Sequence, residues 1–182
     1  MRKILLGLAG ILFLLSDEIA SAQNSAPCAA PQWEEVSGIG WKMRFPWRTW
    51  TNSGTAKNFV STEVSDIGRP GFDCNMYSVT VQEYAPNNPN QEEYFKYIAD
   101  VYAATRGWTV VRNERGSRFG LASLTITYRY VVPNFAGERA VITGRTFFVV
   151  RGTRVYGVSA RWAGTGEMPA EATRVVQSFQ LN

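Results

Sequence analysis

Residues that could carry out enzyme chemistry are few in this chain. The sequence contains no histidine, which excludes a Ser-His-Asp or Cys-His catalytic site and the common histidine-containing zinc sites. Two cysteines are too few for an all-thiolate zinc site, and no phosphate-binding loop or dinucleotide-binding glycine motif is present. We therefore expect neither a metal nor a cofactor.

Carboxylates are the remaining groups that could act as acid and base. Asp66 and Asp73 flank a loop rich in Gly and Pro, and Glu83 follows them. Two carboxylates can hydrolyse a glycosidic bond or bind calcium, although acidic residues in such loops are more commonly turn formers and solvated charges. The leading interpretation is a protein without catalytic activity. The alternative is a histidine-independent hydrolase that uses a carboxylate pair.

Arginine is concentrated in the second half of the chain. Residues 106–161 contain ten arginines and two acidic residues, and the whole chain has a net charge of +4. Arg129, Arg145 and Arg161 lie in runs that can form neighbouring strands, so their guanidinium groups could form an anion-binding patch. A simple hairpin count puts Arg145 and Trp162 on one face and Arg161 on the other. In the alternative interpretation, each arginine covers apolar neighbours with its stem.

Tryptophans near the start of the chain offer a second kind of binding surface. Trp47 and Trp50 lie close to Pro46, and an exposed pair of indole rings could bind a carbohydrate or a peptide. Tryptophans more commonly fill a core and satisfy the indole N–H locally. Exposure of these two side chains would distinguish the platform from the core.

The N-terminal segment has the composition of a cleavable export signal. A basic start, Arg2-Lys3, is followed by an apolar run and then by Ala20-Ser21-Ala22, with small residues where a signal peptidase cuts. The apolar run is shorter than the ~20 residues that a membrane-spanning helix needs. We expect a signal peptide at 1–22, a flexible leader at 23–32 and a single domain at 33–182, with no transmembrane segment after cleavage.

Export changes the expected state of the cysteines. Cys28 and Cys74 are the two cysteines of the chain, and an even pair in an oxidising compartment favours a disulfide bond. The alternative is two free thiols. A bridge between them would tie the leader to the middle of the chain and stabilise it by about 4 kcal/mol in a chain-entropy estimate.

Strand patterns dominate the remaining sequence. Apolar residues alternate with polar ones in several short runs, which is typical of half-buried strands, and 147–150 is apolar on both faces, as expected for a central strand covered on both sides. Runs joined by short turns favour antiparallel pairing. Strands are predicted over 41–45, 58–64, 77–82, 108–112, 124–130, 140–151 and 155–162.

Two helices interrupt the strands. Residues 90–106 have apolar side chains on one helical face, with Asn90 as N-cap, Glu93 three residues later and Gly107 as a left-handed terminator. A shorter helix is predicted over 169–178, because Pro169 suits a first helical position, and 179–181 could return to the sheet. The predicted fold is α+β, a mainly antiparallel central sheet flanked by helices.

This order of elements resembles the Mog1/PsbP-like group of α/β sandwich proteins over most of residues 40–182. The resemblance implies a sheet flanked by helices that serves as a binding or assembly module, as in photosystem extrinsic subunits and a nuclear-transport accessory factor. It transfers no binding residues to this chain. The segments that carry the resemblance are Phe45-Pro46, Val81-Gln82-Glu83-Tyr84, Arg106-Gly107-Trp108, Arg145-Thr146-Phe147-Phe148-Val149, Arg154-Val155-Tyr156-Gly157-Val158 and Gln177-Ser178-Phe179-Gln180-Leu181.

Together these features predict a periplasmic or secreted protein. We expect a non-catalytic binding or accessory protein of the cell envelope, whose partner is a protein or an anionic envelope component. Nucleic acid is not expected as a partner, because the compartment is unsuitable and no recognition motif is present.

Overall fold

A computed structural model describes residues 31–46, 49–56, 59–66, 77–84, 90–133 and 139–182. For 49–56, 59–66 and Tyr84 only the backbone is described. The predicted signal peptide, residues 23–30 of the predicted leader, both cysteines of the predicted disulfide, Asp73 and Trp47 lie outside the described residues.

The described chain folds into ten strands and two helices. The strands are β1 (Glu34–Gly38), β2 (Trp41–Phe45), β3 (Thr49–Ala56), β4 (Phe59–Asp66), β5 (Tyr77–Tyr84), β6 (Trp108–Arg118), β7 (Leu121–Pro133), β8 (Arg139–Arg151), β9 (Arg154–Ala163) and β10 (Gln180–Leu181). The helices are α1 (Gln91–Ala104) and α2 (Ala170–Gln177). Neither helix is long and apolar enough to cross a lipid bilayer.

Two antiparallel sheets make up the architecture. The large sheet has the strand order β3-β4-β5-β9-β8-β7-β6, and the small sheet has the order β1-β2-β10. The predicted α+β class with a mainly antiparallel sheet is therefore confirmed. The separate small sheet was not predicted. In it the last strand, β10, pairs with β2, with Gln180 opposite Lys42, and not with the large sheet.

Both faces of the large sheet are covered, as predicted for its central strand. On one face, here called the α2 side, the small sheet and α2 bury residues such as Trp41, Phe147 and Val158. On the other, the α1 side, α1 buries residues such as Phe95 and Phe148. The consecutive residues 147–150 thus contribute alternately to the two cores, which is why this stretch is apolar throughout.

Helix α1 begins as predicted and ends earlier. The Asn90 side chain accepts hydrogen bonds from the backbone N–H groups of Glu92 (3.1 Å) and Glu93 (3.3 Å). Helical geometry stops at Ala104, and Thr105 is already extended. The predicted end at 106 is two residues too late, because 105–108 form a turn in which the Trp108 N–H donates to the Thr105 carbonyl. Gly107 takes its positive φ of 83° in that turn.

Several strands are longer than their sequence pattern indicates. β6 continues to Arg118, whereas the predicted strand ends at Arg112. The pattern did not reveal the rest of the strand, because residues 111–120 are all exposed and lack an apolar alternation. β1 and β3 have polar sequences and were not predicted. These strands are held by backbone pairing, which leaves little trace in side-chain patterns.

Candidate functional site

A cavity of about 190 Å³ lies on the α2 side of the large sheet, between the sheet and α2. Its floor is one row of the sheet, since Thr125 pairs with Phe147 and Phe147 pairs with Val158. Arg145 lies two residues before Phe147 on β8 and so shares its face. The lining residues are Arg118, Thr125, Arg145, Phe147, Val158, Met168, Thr173, Val176 and Gln177.

Arg118 reaches the cavity from the end of β6. Its guanidinium carbon lies 4.3 Å from the centre of the Phe147 ring, a cation–π contact. Burial lowers the pKa of Arg118, and the nearby positive charge of Arg145 lowers it further. Two guanidinium groups are therefore held close enough to repel each other.

Neither of these two arginines is neutralised by a carboxylate among the described residues. The ion pairs of the described part of the chain join other residues. Glu114, an acid on the same strand as Arg118, lies 3.0 Å from Arg112. Arg145 donates from Nε to the Thr127 hydroxyl at 3.4 Å, which leaves its charge unpaired. The cavity, which we call the Arg118/Arg145 pocket, thus carries uncompensated positive charge.

The chemistry available in the Arg118/Arg145 pocket is binding. Guanidinium groups pair with carboxylate or phosphate oxygens, and the hydroxyls of Thr125 and Thr173 and the amide of Gln177 offer further polar contacts. None of the described lining residues is acidic, so none of them offers a carboxylate as a general acid or base.

The structure separates the three arginines predicted from the sequence. Arg145 is opposite Thr127 and Arg129 is opposite Thr143, which makes them diagonal neighbours on the α2 side. Arg129 donates from Nη2 to the Thr165 carbonyl at 3.3 Å, and its buried Nε has no partner. It does not line the pocket.

Arg161 lies on the opposite face. It pairs with Gly144, so it lies on the α1 side, where its Nε donates to the Tyr128 hydroxyl at 3.2 Å. Arg145 and Arg161 therefore lie on opposite faces of the sheet, in agreement with the hairpin count made from the sequence. The three arginines do not converge, and the described structure brings Arg118 to Arg145 instead.

Arg118 is a site residue that the sequence pattern does not predict. The predicted strand ended at Arg112, so Arg118 was not assigned to the sheet. A signal was present in Phe119-Gly120, which forms a two-residue turn because Arg118 pairs directly with Leu121. A hairpin centred on that turn would have placed Arg118 on β6.

Among the carboxylates considered for catalysis, Glu83 has a described side chain. Glu83 is 3% exposed, and its carboxylate accepts hydrogen bonds from Trp41 Nε1 (2.5 Å), Ile39 N (2.9 Å) and Arg154 (3.4 Å). These contacts fix the β1–β2 turn to the large sheet. Asp66 is described by its backbone alone, at the end of β4.

The tryptophans with described side chains are partly or fully buried. Trp41 and Trp162 belong to the core of the α2 side. Trp108 stacks on Tyr128 with ring centres 4.3 Å apart. Trp33 lies between the guanidinium groups of Arg44 and Arg174. The predicted platform at Trp47 and Trp50 lies outside the described side chains.

The arrangement of elements in this chain has parallels among solved structures. The Ran-binding protein Mog1p of Saccharomyces cerevisiae is similar at 12% identity and a TM-score of 0.46, over 84% of this chain and 96% of that one. Cyanobacterial PsbP of Synechocystis sp. is similar at 12% identity and a TM-score of 0.46, over 85% and 94%. LpqN, involved in cell envelope biogenesis of Mycobacterium tuberculosis, is similar at 8% identity and a TM-score of 0.41, over 94% and 99%.

Mog1p and PsbP are members of the group that the sequence resembles. At these identities and TM-scores, nothing about the function of this chain follows from the likeness. No protein-family model and no curated protein matches the chain. Its function has to be argued from its own site.

Proposed function

We propose that this protein is a non-catalytic binding or accessory protein of the cell envelope, exported by residues 1–22. It holds an anionic group of its partner in the Arg118/Arg145 pocket. Export is supported by the order of basic, apolar and small residues at the N-terminus. The binding role is supported by the site geometry and requires no enzymatic step.

One observation carries the proposal: two guanidinium groups line one cavity, and neither is paired with a carboxylate among the described residues. Bringing like charges together costs free energy, which a bound anion would recover. The Phe147 ring under Arg118 and the Thr127 hydroxyl beside Arg145 hold the two groups in place before any ligand arrives. Preorganised cations bind an anion at a smaller entropic cost than free side chains do.

Arg129 extends this basic surface in the proposal. It lies diagonally from Arg145 on the same face, so a larger acidic partner in the pocket would also meet its positive charge. Arg161 lies on the α1 side and contributes nothing to the surface. The hydrolase alternative has no support in the described residues, where Glu83 is buried beneath hydrogen-bond donors.

Titration with acetate and with inorganic phosphate, followed by nitrogen-detected NMR of the arginine side chains, tests this proposal. The Arg118 and Arg145 signals should shift with saturation, and the double variant Arg118→Gln/Arg145→Gln should bind at least tenfold more weakly. Arg106→Gln/Arg139→Gln is the charge-matched control, since both residues are exposed and lie outside the pocket. Equal weakening in both double variants would show nonspecific charge attraction and contradict the proposal.

A further inference from the structure

The Arg118/Arg145 pocket combines its charges with an apolar interior. Phe147 and Val158 form the floor and are 3% and 1% exposed. Met168 and Val176 add apolar surface on the side of α2. A bare inorganic anion would satisfy the guanidinium groups and leave the partly exposed side chains of Met168 and Val176 in contact with water, so the lining fits a ligand that is both charged and apolar.

The cavity volume limits the size of that ligand. At about 30 Å³ for each water-sized group, 190 Å³ holds roughly six such groups. Pockets for drug-sized ligands start at about 300 Å³. The space therefore suits an anionic head and a short apolar group, and it is too small for a long lipid chain or a ring system.

The type of anion follows from the polar groups available. A carboxylate has two oxygens, and the two guanidinium groups can each donate to one of them. Inorganic phosphate has two further oxygens, and any that faced the Phe147 ring or the Met168 side chain instead of Thr125, Thr173 or Gln177 would lack a hydrogen bond, which is costly for a buried polar atom. The lining therefore favours a carboxylate.

We infer that the pocket binds one carboxylate attached to an apolar group of about three to five carbon atoms. This inference rests on the proposed function and specifies its ligand. Two sources share the chemistry: a free short-chain carboxylic acid, and the C-terminal residue of a peptide that ends in a medium-sized apolar side chain. The carboxylate lies between Arg118 and Arg145, and the apolar group lies over Phe147 and Val158.

A chain-length series tests the inference directly. The probes are acetate, butyrate, hexanoate and decanoate, followed through ¹³C-methyl methionine signals. Met168 lines the pocket, whereas Met43 is fully buried in the core and outside the lining, which makes it an internal control. Each added methylene should tighten binding about fourfold, giving roughly 250-fold over the four methylenes between acetate and hexanoate, with no further gain at decanoate.

Two further experiments separate the contribution of the charge to binding from that of the apolar group. Hexanol keeps the chain and loses the carboxylate, so it should bind at least tenfold more weakly than hexanoate. Thr173→Leu adds apolar atoms to the side of the cavity formed by α2 without changing the charge. It should abolish the preference for hexanoate over acetate.

The outcomes distinguish this inference from the proposed function. If acetate and hexanoate bind equally to the wild-type protein, anion binding stands and the apolar ligand class is wrong. If neither these acids nor phosphate shifts any pocket signal, the proposed function fails as well. If hexanol binds as tightly as hexanoate, the arginines do not select the ligand and the inference is overturned.

Peptide binding distinguishes the two possible sources of the carboxylate. Acetyl-Gly-Gly-Leu with a free C-terminus is compared with its amidated form and with free 4-methylpentanoate. Tighter binding of the peptide acid identifies a chain terminus, and tighter binding of the free acid identifies a small molecule. Binding of the amide as strong as that of the acid would contradict the carboxylate.

Discussion

Close packing around single residues explains parts of the sequence that are otherwise unremarkable. Tyr128 is completely buried and lies over Gly144, where a Cβ atom would come within 2.2 Å of the tyrosine ring. The hydroxyl of the same ring accepts a hydrogen bond from Arg161, and Trp108 stacks on its plane. Because the ring is packed on several sides and cannot move, β8 needs a residue without a Cβ atom at position 144.

Replacing Gly144 with alanine should therefore destabilise the protein. We expect Gly144→Ala to lower the free energy of unfolding by about 1–3 kcal/mol, because the tyrosine cannot move away and the core becomes overpacked. Urea unfolding measures the change. The matched control is Gly166→Ala, since a Cβ atom there would meet nothing within 4 Å. Equal stability of Gly144→Ala and the wild type would contradict this packing.

Glu83 has a structural role at the same scale. Its buried carboxylate accepts from Trp41, from the Ile39 backbone and from Arg154, and so joins the small sheet to the large one. Glu83→Gln removes the charge from these hydrogen bonds and should lower the free energy of unfolding by about 1.5–3 kcal/mol.

The comparison for Glu83 is an exposed acid in the same region. Glu35, 53% exposed and paired with Lys42 at 3.4 Å, should lose no more than about 1 kcal/mol when changed to glutamine. Denaturant unfolding of both variants gives the difference. Similar losses would show that the Glu83 contacts are no more important than a surface ion pair.

At the scale of elements, α1 is attached to the large sheet by its aromatic residues. Tyr102 packs against Tyr128 and Phe148 with ring centres 5.1 and 6.1 Å away, and its hydroxyl donates to Thr146 at 3.2 Å. Burial raises the pKa of Tyr102 to about 12. Burial also raises the pKa of Tyr94 on the same helix.

The raised pKa of Tyr102 predicts that the protein loses stability at alkaline pH. Between pH 10 and 12 the unfolded chain releases the Tyr102 proton while the folded protein retains it, so stability is full below pH 10 and falls as pH rises through the window. The loss from one residue is on the order of 2 kcal/mol. Tyr102→Phe should flatten this part of the pH profile in urea unfolding. Tyr97→Phe, at an exposed position, should leave it unchanged.

The whole molecule assembles its pocket from distant parts of the chain. The lining extends from Arg118 on β6 to Gln177 on α2, and it includes side chains of β7, β8 and β9. Because the four strands are consecutive antiparallel neighbours, one row of side chains from three of them forms a continuous floor. The helix closes the cavity only after it packs on the sheet.

Export is a prediction that belongs to the whole chain. We expect the protein recovered from its native compartment to lack residues 1–22 and to begin at Gln23, with Cys28 and Cys74 joined. N-terminal sequencing tests the cleavage. Intact mass should rise by two hydrogen atoms after reduction, and a mass unchanged by reductant would contradict the disulfide. Recovery of the uncleaved chain would contradict the export signal.

Sequence patterns sufficed where burial repeats regularly along an element. Trp41, Met43 and Phe45 alternate and are all buried in β2, and Asn90 forms its cap because capping depends on a few adjacent residues. The central position of β8 was visible because both of its faces are apolar. The hairpin count for Arg145 and Arg161 agreed with the register, since the two-residue gap at Gly152-Thr153 fixes the pairing of β8 and β9.

The pocket was decided by tertiary structure. The Phe119-Gly120 turn could place Arg118 on a strand, but no local pattern brings it to Arg145, which lies 27 positions later and one strand beyond β7. Sequence alone determined the residue types, the absence of histidine and the period of each element. Only the folded sheet places Arg118 and Arg145 beside Phe147 and Arg161 on the opposite face, because strand pairing brings together residues that are far apart in the chain.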